Sequence, residues 1–188
     1  HQLYKTNFQK FIEYNIHDVE LVDRIDAKMQ LIDMALALAY DAKVNYNDVC
    51  EEYGGVEILE DEHESRMWKE KGSVVSLQHF PLRTNPFWNM KHNEGSIFNK
   101  VDVILYGQET IGSAERSCDV EEMKHNFYTI ENGKYAAKLF ELFGKERVEA
   151  ELEQFLSYNF FPRFGGGIGL TRMARAWELL QQEVEELV

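Results

Sequence analysis

Apolar residues recur at alternating steps of three and four between Asp18 and Ala42, and neither glycine nor proline interrupts them. This spacing places apolar side chains on one face of a helix with 3.6 residues per turn. The pattern therefore predicts one long amphipathic helix from Asp18 to Ala42. Its apolar face comprises Val22, Ile25, Met29, Ile32, Leu36 and Ala39.

Helical and extended patterns alternate in the middle of the chain. A helix is predicted from Ile58 to Lys71, with Gly72 as its C-cap. Short runs rich in β-branched residues predict strands. They are Ser73–Phe80, Lys100–Tyr106 and Thr110–Cys118. The last two strands are expected to form an antiparallel hairpin across Gly107-Gln108.

The last third of the chain predicts more helix. Two helices, Lys134–Phe143 and Lys145–Tyr158, are separated by a break at Gly144. Phe164–Leu170 is too rich in glycine for a helix interior and predicts a strand or loop that leads into a terminal helix, Thr171–Leu187. The fold class predicted from these elements is α/β (α+β), with a sheet flanked by helices and preceded by a long N-terminal helix.

Composition argues for a folded protein and against nucleic-acid binding, a zinc site and a membrane span. Hydrophobic residues make up 44% of the chain, which supports a packed core. Asp and Glu outnumber Lys and Arg by 33 to 20, and a formal charge of −13 opposes binding to a nucleic-acid backbone. Cys50 and Cys118 lack a second metal ligand at suitable spacing, which indicates core cysteines in a reducing cytoplasm and no zinc site. No apolar run approaches the roughly 20 residues of a membrane span.

A cluster of glycines precedes the terminal helix, at Gly165, Gly166, Gly167 and Gly169, and Arg172 follows it. Backbone without side chains allows a flat ligand to approach closely, and a cation at the start of a helix suits a nucleotide. Glycine clusters also occur where a strand packs tightly beneath a helix. The cluster alone leaves both interpretations open.

Two acids flank the predicted hairpin turn. Asp102 and Glu109 provide oxygen ligands of the kind that Mg²⁺ uses together with substrate phosphates, although a solvent-exposed Asp102 is the commoner outcome. Arg116 at the end of the second strand can bind a carboxylate through two hydrogen bonds. By contrast, His63 and Glu64 are neighbours on a predicted helix and are expected to belong to a solvated charged face.

The order of these features resembles the class II aminoacyl-tRNA synthetase core. Residues about 45–188 are similar to the second half of that core: an acid-bearing strand, a G-x-E turn, a small-residue stretch ending in arginine, and the third class-defining motif. Within the class, the aspartyl and asparaginyl enzymes and archaeal-type asparagine synthetases are most similar. The segments that carry the resemblance are Phe80-Pro81, Pro86–Met90, Val101–Gly107, Gly112–Arg116 and Gly165–Arg172.

The resemblance implies a site for ATP. Asp102 and Glu109 would bind the Mg²⁺ that accompanies ATP, and Gly167 and Gly169 would lie under the adenosine. Arg172 would contact the adenine face and the terminal phosphate. Catalysis of this kind depends on positioning and charge neutralisation.

A site for aspartate is implied as well. Arg116 would hold the side-chain carboxylate of aspartate. The reaction would be attack of the aspartate carboxylate on the α-phosphate, giving aspartyl-adenylate and pyrophosphate. Amidation by ammonia would then yield asparagine, and the acidic composition favours this acceptor over tRNA. A potentially open sheet edge predicts self-association as a dimer.

Several features depart from the family pattern. A hydroxyl that commonly assists the metal in aspartyl enzymes would fall at Gly112, and the acid that usually precedes the motif arginine is replaced by Thr171. The first two class-defining motifs are expected before residue 45 and are not recognisable there. A non-catalytic truncated or hybrid module is therefore the alternative hypothesis.

The first 46 residues or so resemble a different family. They are similar to the third exonuclease motif and following helix of tailed-phage family B DNA polymerases, in which Tyr14 and Asp18 would serve a two-metal 3′–5′ exonuclease. An exonuclease fragment is thus a further alternative, although one carboxylate cannot hold two metals. The domain organisation predicted from both resemblances is a helical segment, 1–44, and a synthetase-like segment, 45–188.

Overall fold

The computed structural model describes residues 5–30, 42–93 and 96–186, and the chain divides into two compact units, residues 1–41 and 42–188. In the first unit, helix α1 spans Phe8–Met29. The side chain of Asn7 caps its start by accepting the Lys10 N–H at 3.0 Å, and a left-handed Gln30 ends it.

The long N-terminal helix is confirmed, but it begins ten residues before the predicted start at Asp18. The polar cap at Asn7, rather than the apolar pattern, marks that start. The predicted continuation through residues 31–41 lies outside the described residues. Ala42, the predicted last residue, lies in a bend.

The second unit is built on a six-stranded, mostly antiparallel sheet with the order β1-β2-β4-β5-β6 and with β3 paired to β4. Short β1 runs parallel to β2, and each other pairing between named strands in the described residues is antiparallel. The strands are β1 Lys43–Asn45, β2 Val74–Pro81, β3 His92–Asn93, β4 Ile97–Leu105, β5 Gln108–Arg116 and β6 Arg163–Ile168. The three predicted strands and their hairpin are confirmed, with ends shifted by one to three residues.

The hairpin turn between β4 and β5 lies at Tyr106-Gly107, one residue before the predicted position. Both residues adopt the left-handed backbone conformation, with φ of 49° and 74°. Two consecutive residues of this kind give a turn whose twist matches that of the flanking strands in a two-residue hairpin. A Cβ at Gly107 would lie 2.9 Å from the Ser65 Cα, so glycine is required here for packing as well as for conformation.

Helices flank the sheet. They are α2 Tyr46–Glu52, α3 Asp61–Lys71, α4 Val120–Thr129, α5 Lys134–Phe143, α6 Lys145–Leu156 and α7 Leu170–Glu186, with short 3-10 turns at Leu82–Thr84 and Ile130–Gly133. The predicted end of α3 at Gly72 and the break at Gly144 are both confirmed. Helices α2 and α4 were not predicted.

Two apolar clusters hold these layers together. The first joins α2 and α3 to one face of β2 and β4: Tyr46, Val49, Cys50, Tyr53, Met67, Val75, Leu77, Phe80 and Ile104. The second joins α4, α5 and α6 around a tryptophan: Trp88, Met123, Phe127, Ala136, Val148, Leu152 and Leu156. Cys50 is a core residue as expected, whereas Cys118 is exposed because it follows the end of β5.

The α/β class with a flanked antiparallel sheet is confirmed. Because side chains alternate along a strand, Ile104 and Asp102 share one face of β4. The first apolar cluster covers that face at Ile104, and Asp102 lies next to it along the strand.

Of the helices that the structure describes, none has the length and apolar character needed to cross a membrane.

Candidate active site

Asp102 and Glu109 converge on Gly112. Asp102 pairs with Gly112 across β4 and β5. A Cβ built at Gly112 would lie 2.8 Å from Glu109 Oε1 and 3.3 Å from Asp102 Oδ1. The two predicted metal ligands therefore flank one point above a residue that has no side chain.

A β-bulge at the start of β5 makes this convergence possible. Asp102 pairs with Gly112 and Val103 with Ile111, but Ile104 pairs with Glu109, which leaves Thr110 as an extra residue. The extra residue reverses the alternation of side chains. Glu109 consequently shares the face of Asp102, whereas a regular ladder would place Thr110 there.

The environment of Asp102 suits a cation. Asp102 is only 5% exposed, and its Oδ1 is buried without a hydrogen-bond partner in the part of the chain that the structure describes. Its Oδ2 accepts a short hydrogen bond from Lys100 Nζ. Burial raises the pKa of Asp102 to about 6, and the nearby Glu109 carboxylate adds to this effect while Lys100 opposes it.

Mg²⁺ fits this arrangement only with help from a substrate. Among residues 5–30, 42–93 and 96–186, no group of three His, Cys, Asp or Glu side chains can hold a metal ion. Two carboxylates are nevertheless a common protein contribution to a Mg²⁺ site in which phosphates supply further oxygens. The unpartnered Oδ1 of Asp102, which lies with Glu109 Oε1 beside the point above Gly112, is consistent with such a role.

Replacing Asp102 with asparagine is expected to raise the free energy of unfolding at pH 8 by about 3 kcal/mol in metal-free protein. A carboxyl whose pKa is raised on folding binds its proton more tightly in the folded state. Wild-type stability should therefore fall as the pH rises from about 4 to about 6, and D102N should lack this loss. Urea unfolding from pH 4 to pH 8 measures the difference, and a pH-independent difference would contradict the assignment.

Arg116 lies on the same face, four residues and about 13 Å beyond Gly112 along β5. Its Nη1 donates to Asn89 Oδ1 at 3.2 Å and its Nη2 to the Gly165 carbonyl at 2.9 Å. Both acceptors are neutral, and no carboxylate of the described residues forms an ion pair with Arg116. Burial and the neighbouring Arg163 lower the pKa of this guanidinium.

Glycine on β6 determines where this arginine lies. A Cβ at Gly165 would be 2.6 Å from Arg116 Nε, so a larger residue would displace the guanidinium. Arg116 therefore lies against the backbone of β6, and some of its guanidinium donors have no partner among the described residues. A carboxylate ligand would supply the missing negative charge.

The predicted glycine cluster forms strand β6 and its exit into α7. Gly167 pairs with Gly112, and no atom of the described residues, apart from its neighbours in the chain, lies within 4 Å of the position that a Gly167 Cβ would occupy. Gly169 contacts the aliphatic part of Arg172, with the Cδ 3.3 Å from its ideal Cβ. Arg172 Nη1 donates to the Glu109 carbonyl at 2.5 Å, which links the cluster to the acid site.

Sequence reasoning missed Glu64. Instead of facing solvent on α3, its half-buried Oε2 accepts the Glu109 N–H at 2.7 Å. Burial raises the pKa of Glu64. His63 is also explained, since its Nδ1 accepts the Glu60 N–H at 2.9 Å in a capping box that starts the helix.

The model of the family described as tRNA synthetases class II (D, K and N) matches residues 5–185, almost the whole chain. The chain belongs to this family. A probable cytoplasmic aspartate–tRNA ligase from Encephalitozoon cuniculi is 32% identical over 133 residues, which are 65% of this chain and 26% of that ligase. The resemblance to the aspartyl and asparaginyl branch of class II synthetases is thus confirmed.

Solved structures of class II synthetases share the fold. Asparaginyl-tRNA synthetase from Entamoeba histolytica is 17% identical with a TM-score of 0.58, covering 84% of this chain and 40% of that one. The Pyrococcus horikoshii asparaginyl enzyme, complexed with asparaginyl-adenylate, is 18% identical with a TM-score of 0.53, covering 73% and 31%. The chain spans about a quarter to two fifths of the length of these relatives.

The N-terminal segment has a second relative. The DNA-directed DNA polymerase of Enterobacteria phage T4 is 44% identical over 48 residues, which are 26% of this chain and 5% of the polymerase. Tyr14 and Asp18 are exposed on α1 and, four residues apart, share one side of the helix. The class II synthetase match also covers this helix, since it begins at residue 5.

Proposed function

We propose that this chain binds Mg²⁺–ATP and one carboxylate of aspartate as part of an aspartate-activating site. The observation that carries the proposal is the convergence of Asp102 and Glu109 over Gly112, on the face of the sheet that also bears Arg116. The point above Gly112 where the acids converge and the arginine for an anion are four residues, about 13 Å, apart along β5. That spacing suits a substrate with phosphates at one end and a carboxylate at the other.

The proposed reaction joins aspartate to AMP. A carboxylate oxygen of aspartate attacks the α-phosphorus, the bond to the bridging oxygen of the β-phosphate breaks, and pyrophosphate leaves with the electron pair. Arg116 holds the other carboxylate, so that only one carboxylate faces the phosphorus. Asp102 and Glu109 would hold Mg²⁺, which would neutralise phosphate charge, and Arg172, which contacts the Glu109 carbonyl, would bind the terminal phosphate.

The remaining residues shape the pocket for the nucleotide. Open space above Gly167, together with the tight contact between Gly169 and Arg172, leaves a flat strip of backbone beside Gly112. In this proposal the adenosine lies on that strip. Its phosphates would then extend toward Glu109, which Arg172 already contacts.

Ammonia is the proposed acceptor of the activated aspartate, with asparagine as the product. Asparagine requires that the side-chain carboxylate attacks the α-phosphorus, so Arg116 then holds the α-carboxylate. The net charge of −13 repels a tRNA backbone and does not repel ammonia or ammonium. Self-association as a dimer is part of the same proposal, because β6 pairs only with β5 among the described strands. A strand with one open edge favours pairing with another chain.

Calorimetric titration of the protein with ATP, with and without Mg²⁺, tests the binding step. We expect ATP binding that depends on Mg²⁺, and aspartate binding that is stronger than asparagine binding. Aspartate-dependent exchange between ATP and pyrophosphate then tests the chemical step. ATP binding without exchange would identify a non-catalytic module, whereas no ATP binding at all would refute the proposal.

A further inference from the structure

The first turn of α3 packs directly on the turn between β4 and β5. Gly107 has a φ of 74°, and its ideal Cβ would lie 2.9 Å from the Ser65 Cα and 3.4 Å from the Glu64 carbonyl oxygen. The backbone of the turn is therefore in direct contact with the backbone of α3. The position of Glu109, two residues later, is tied to α3.

The main chain of Glu109 is held at both ends by side chains from distant parts of the sequence. Its N–H donates to Glu64 Oε2 at 2.7 Å, and its carbonyl accepts from Arg172 Nη1 at 2.5 Å. A β-bulge leaves backbone groups without their regular ladder partners. Glu64 and Arg172 satisfy the groups that flank the bulge at Thr110.

We infer that Glu64 is a positioning residue that fixes the Glu109 main chain, so that the Glu109 carboxylate faces Asp102 over Gly112. This inference rests on the proposed function in one respect. The proposed function supplies the reason why the two acids converge, which is to bind Mg²⁺. Glu64 does not itself reach the cation in this account. It acts through the backbone of the residue that does.

If Glu64 acts as a hydrogen-bond acceptor, the substitutions at this position that keep an acceptor should keep Glu109 in place. Glutamine keeps an oxygen that can accept the Glu109 N–H, whereas alanine removes it and leaves a partly buried donor without a partner. Glu62 provides a matched control on the same turn, because its side chain is 81% exposed and lies 3.9 Å from His63 Nε2. E62A removes an acid of similar charge without touching Glu109.

The experiment compares E64A, E64Q and E62A with wild type by two measurements. Hydrogen exchange of the Glu109 amide, followed by NMR, reports the hydrogen bond, and the Mg²⁺ concentration at half-maximal ATP binding reports the acid site. We expect E64A to accelerate exchange and to raise the Mg²⁺ midpoint, each by about tenfold, the equivalent of one charged hydrogen bond. E64Q should stay within about threefold of wild type, and E62A should be unchanged.

Two results would overturn the inference: E64A with normal Glu109 exchange and a normal Mg²⁺ midpoint, or E64Q as impaired as E64A. If E64A does not fold, E64Q still decides, because the inference requires it to retain both properties. If wild type fails to bind ATP, the proposed function is wrong. The exchange rate of the Glu109 amide would then decide alone whether Glu64 fixes this residue.

Discussion

Replacing Arg116 with alanine is expected to weaken aspartate binding by about 100-fold or more, while Mg²⁺–ATP affinity stays within about threefold of wild type. Loss of one member of a desolvated charge pair typically costs 2–5 kcal/mol, and about 3 kcal/mol corresponds to 100-fold. The effect should be specific for aspartate because Arg116 lies about 13 Å along β5 from Gly112, over which the acids that would hold the cation converge.

The surroundings of Arg116 explain the size of this effect. Its described partners, the Asn89 amide and the Gly165 carbonyl, carry no charge, and burial together with Arg163 lowers its pKa. A bound carboxylate would therefore neutralise a cation that the described residues leave without a counter-charge. Lysine would restore the charge but not the two-pronged geometry, so R116K should recover only part of the affinity.

Calorimetric titration with aspartate in the presence of a non-hydrolysable ATP analogue measures the effect. Arg147 is the matched control, because it pairs with Glu151 on the surface of α6, where both side chains are about half exposed. R147A should bind aspartate as wild type does. Equal aspartate affinity in R116A and R147A would exclude Arg116 from the aspartate site.

Elements whose limits depend on local chemistry were predictable from the sequence. The break between α5 and α6 falls at Gly144 because its φ of 87° is accessible mainly to glycine. Helix α4 was missed although a signal exists: Asp119 caps it by accepting the Glu122 N–H at 3.0 Å. An acid three residues after a capping aspartate is a recognisable start of a helix.

The geometry of the candidate site was less predictable than the choice of candidate residues. Asp102 and Glu109 were identified by motif order, but their shared face depends on the bulge at Thr110, which arises only when β5 pairs with β4. Glu64 was missed because its contact with Glu109 spans 45 residues of sequence. Periodicity describes one element at a time, and such contacts arise only when elements pack.

Replacing Gly112 with alanine adds a single methyl group, and we expect it to have a large effect on the two acids. A Cβ there would lie 2.8 Å from Glu109 Oε1 and 3.3 Å from Asp102 Oδ1. Glu109 Oε1 is the end of a flexible side chain, so it can move aside without disturbing the sheet. Alanine should therefore separate the two carboxylates while leaving the fold intact.

We expect G112A to raise the Mg²⁺ concentration at half-maximal ATP binding by about 10- to 100-fold, the range seen when ligands of a metal site are misplaced. Its free energy of unfolding should change by no more than about 1 kcal/mol, because the φ of Gly112 is not left-handed and alanine is compatible with it. Titration calorimetry and urea unfolding measure the two quantities. S113A is the matched control, since the adjacent Ser113 faces the other side of β5.

Serine at the same position separates crowding from coordination. G112S adds the same Cβ as alanine together with an oxygen that Mg²⁺ can use as a ligand. If the cation lies between Asp102 and Glu109, G112S should bind Mg²⁺–ATP more tightly than G112A, because the hydroxyl offsets part of the displacement of Glu109 Oε1. If both variants keep the Mg²⁺ dependence of wild type, the point above Gly112 is not where the cation binds, and the two acids have another role.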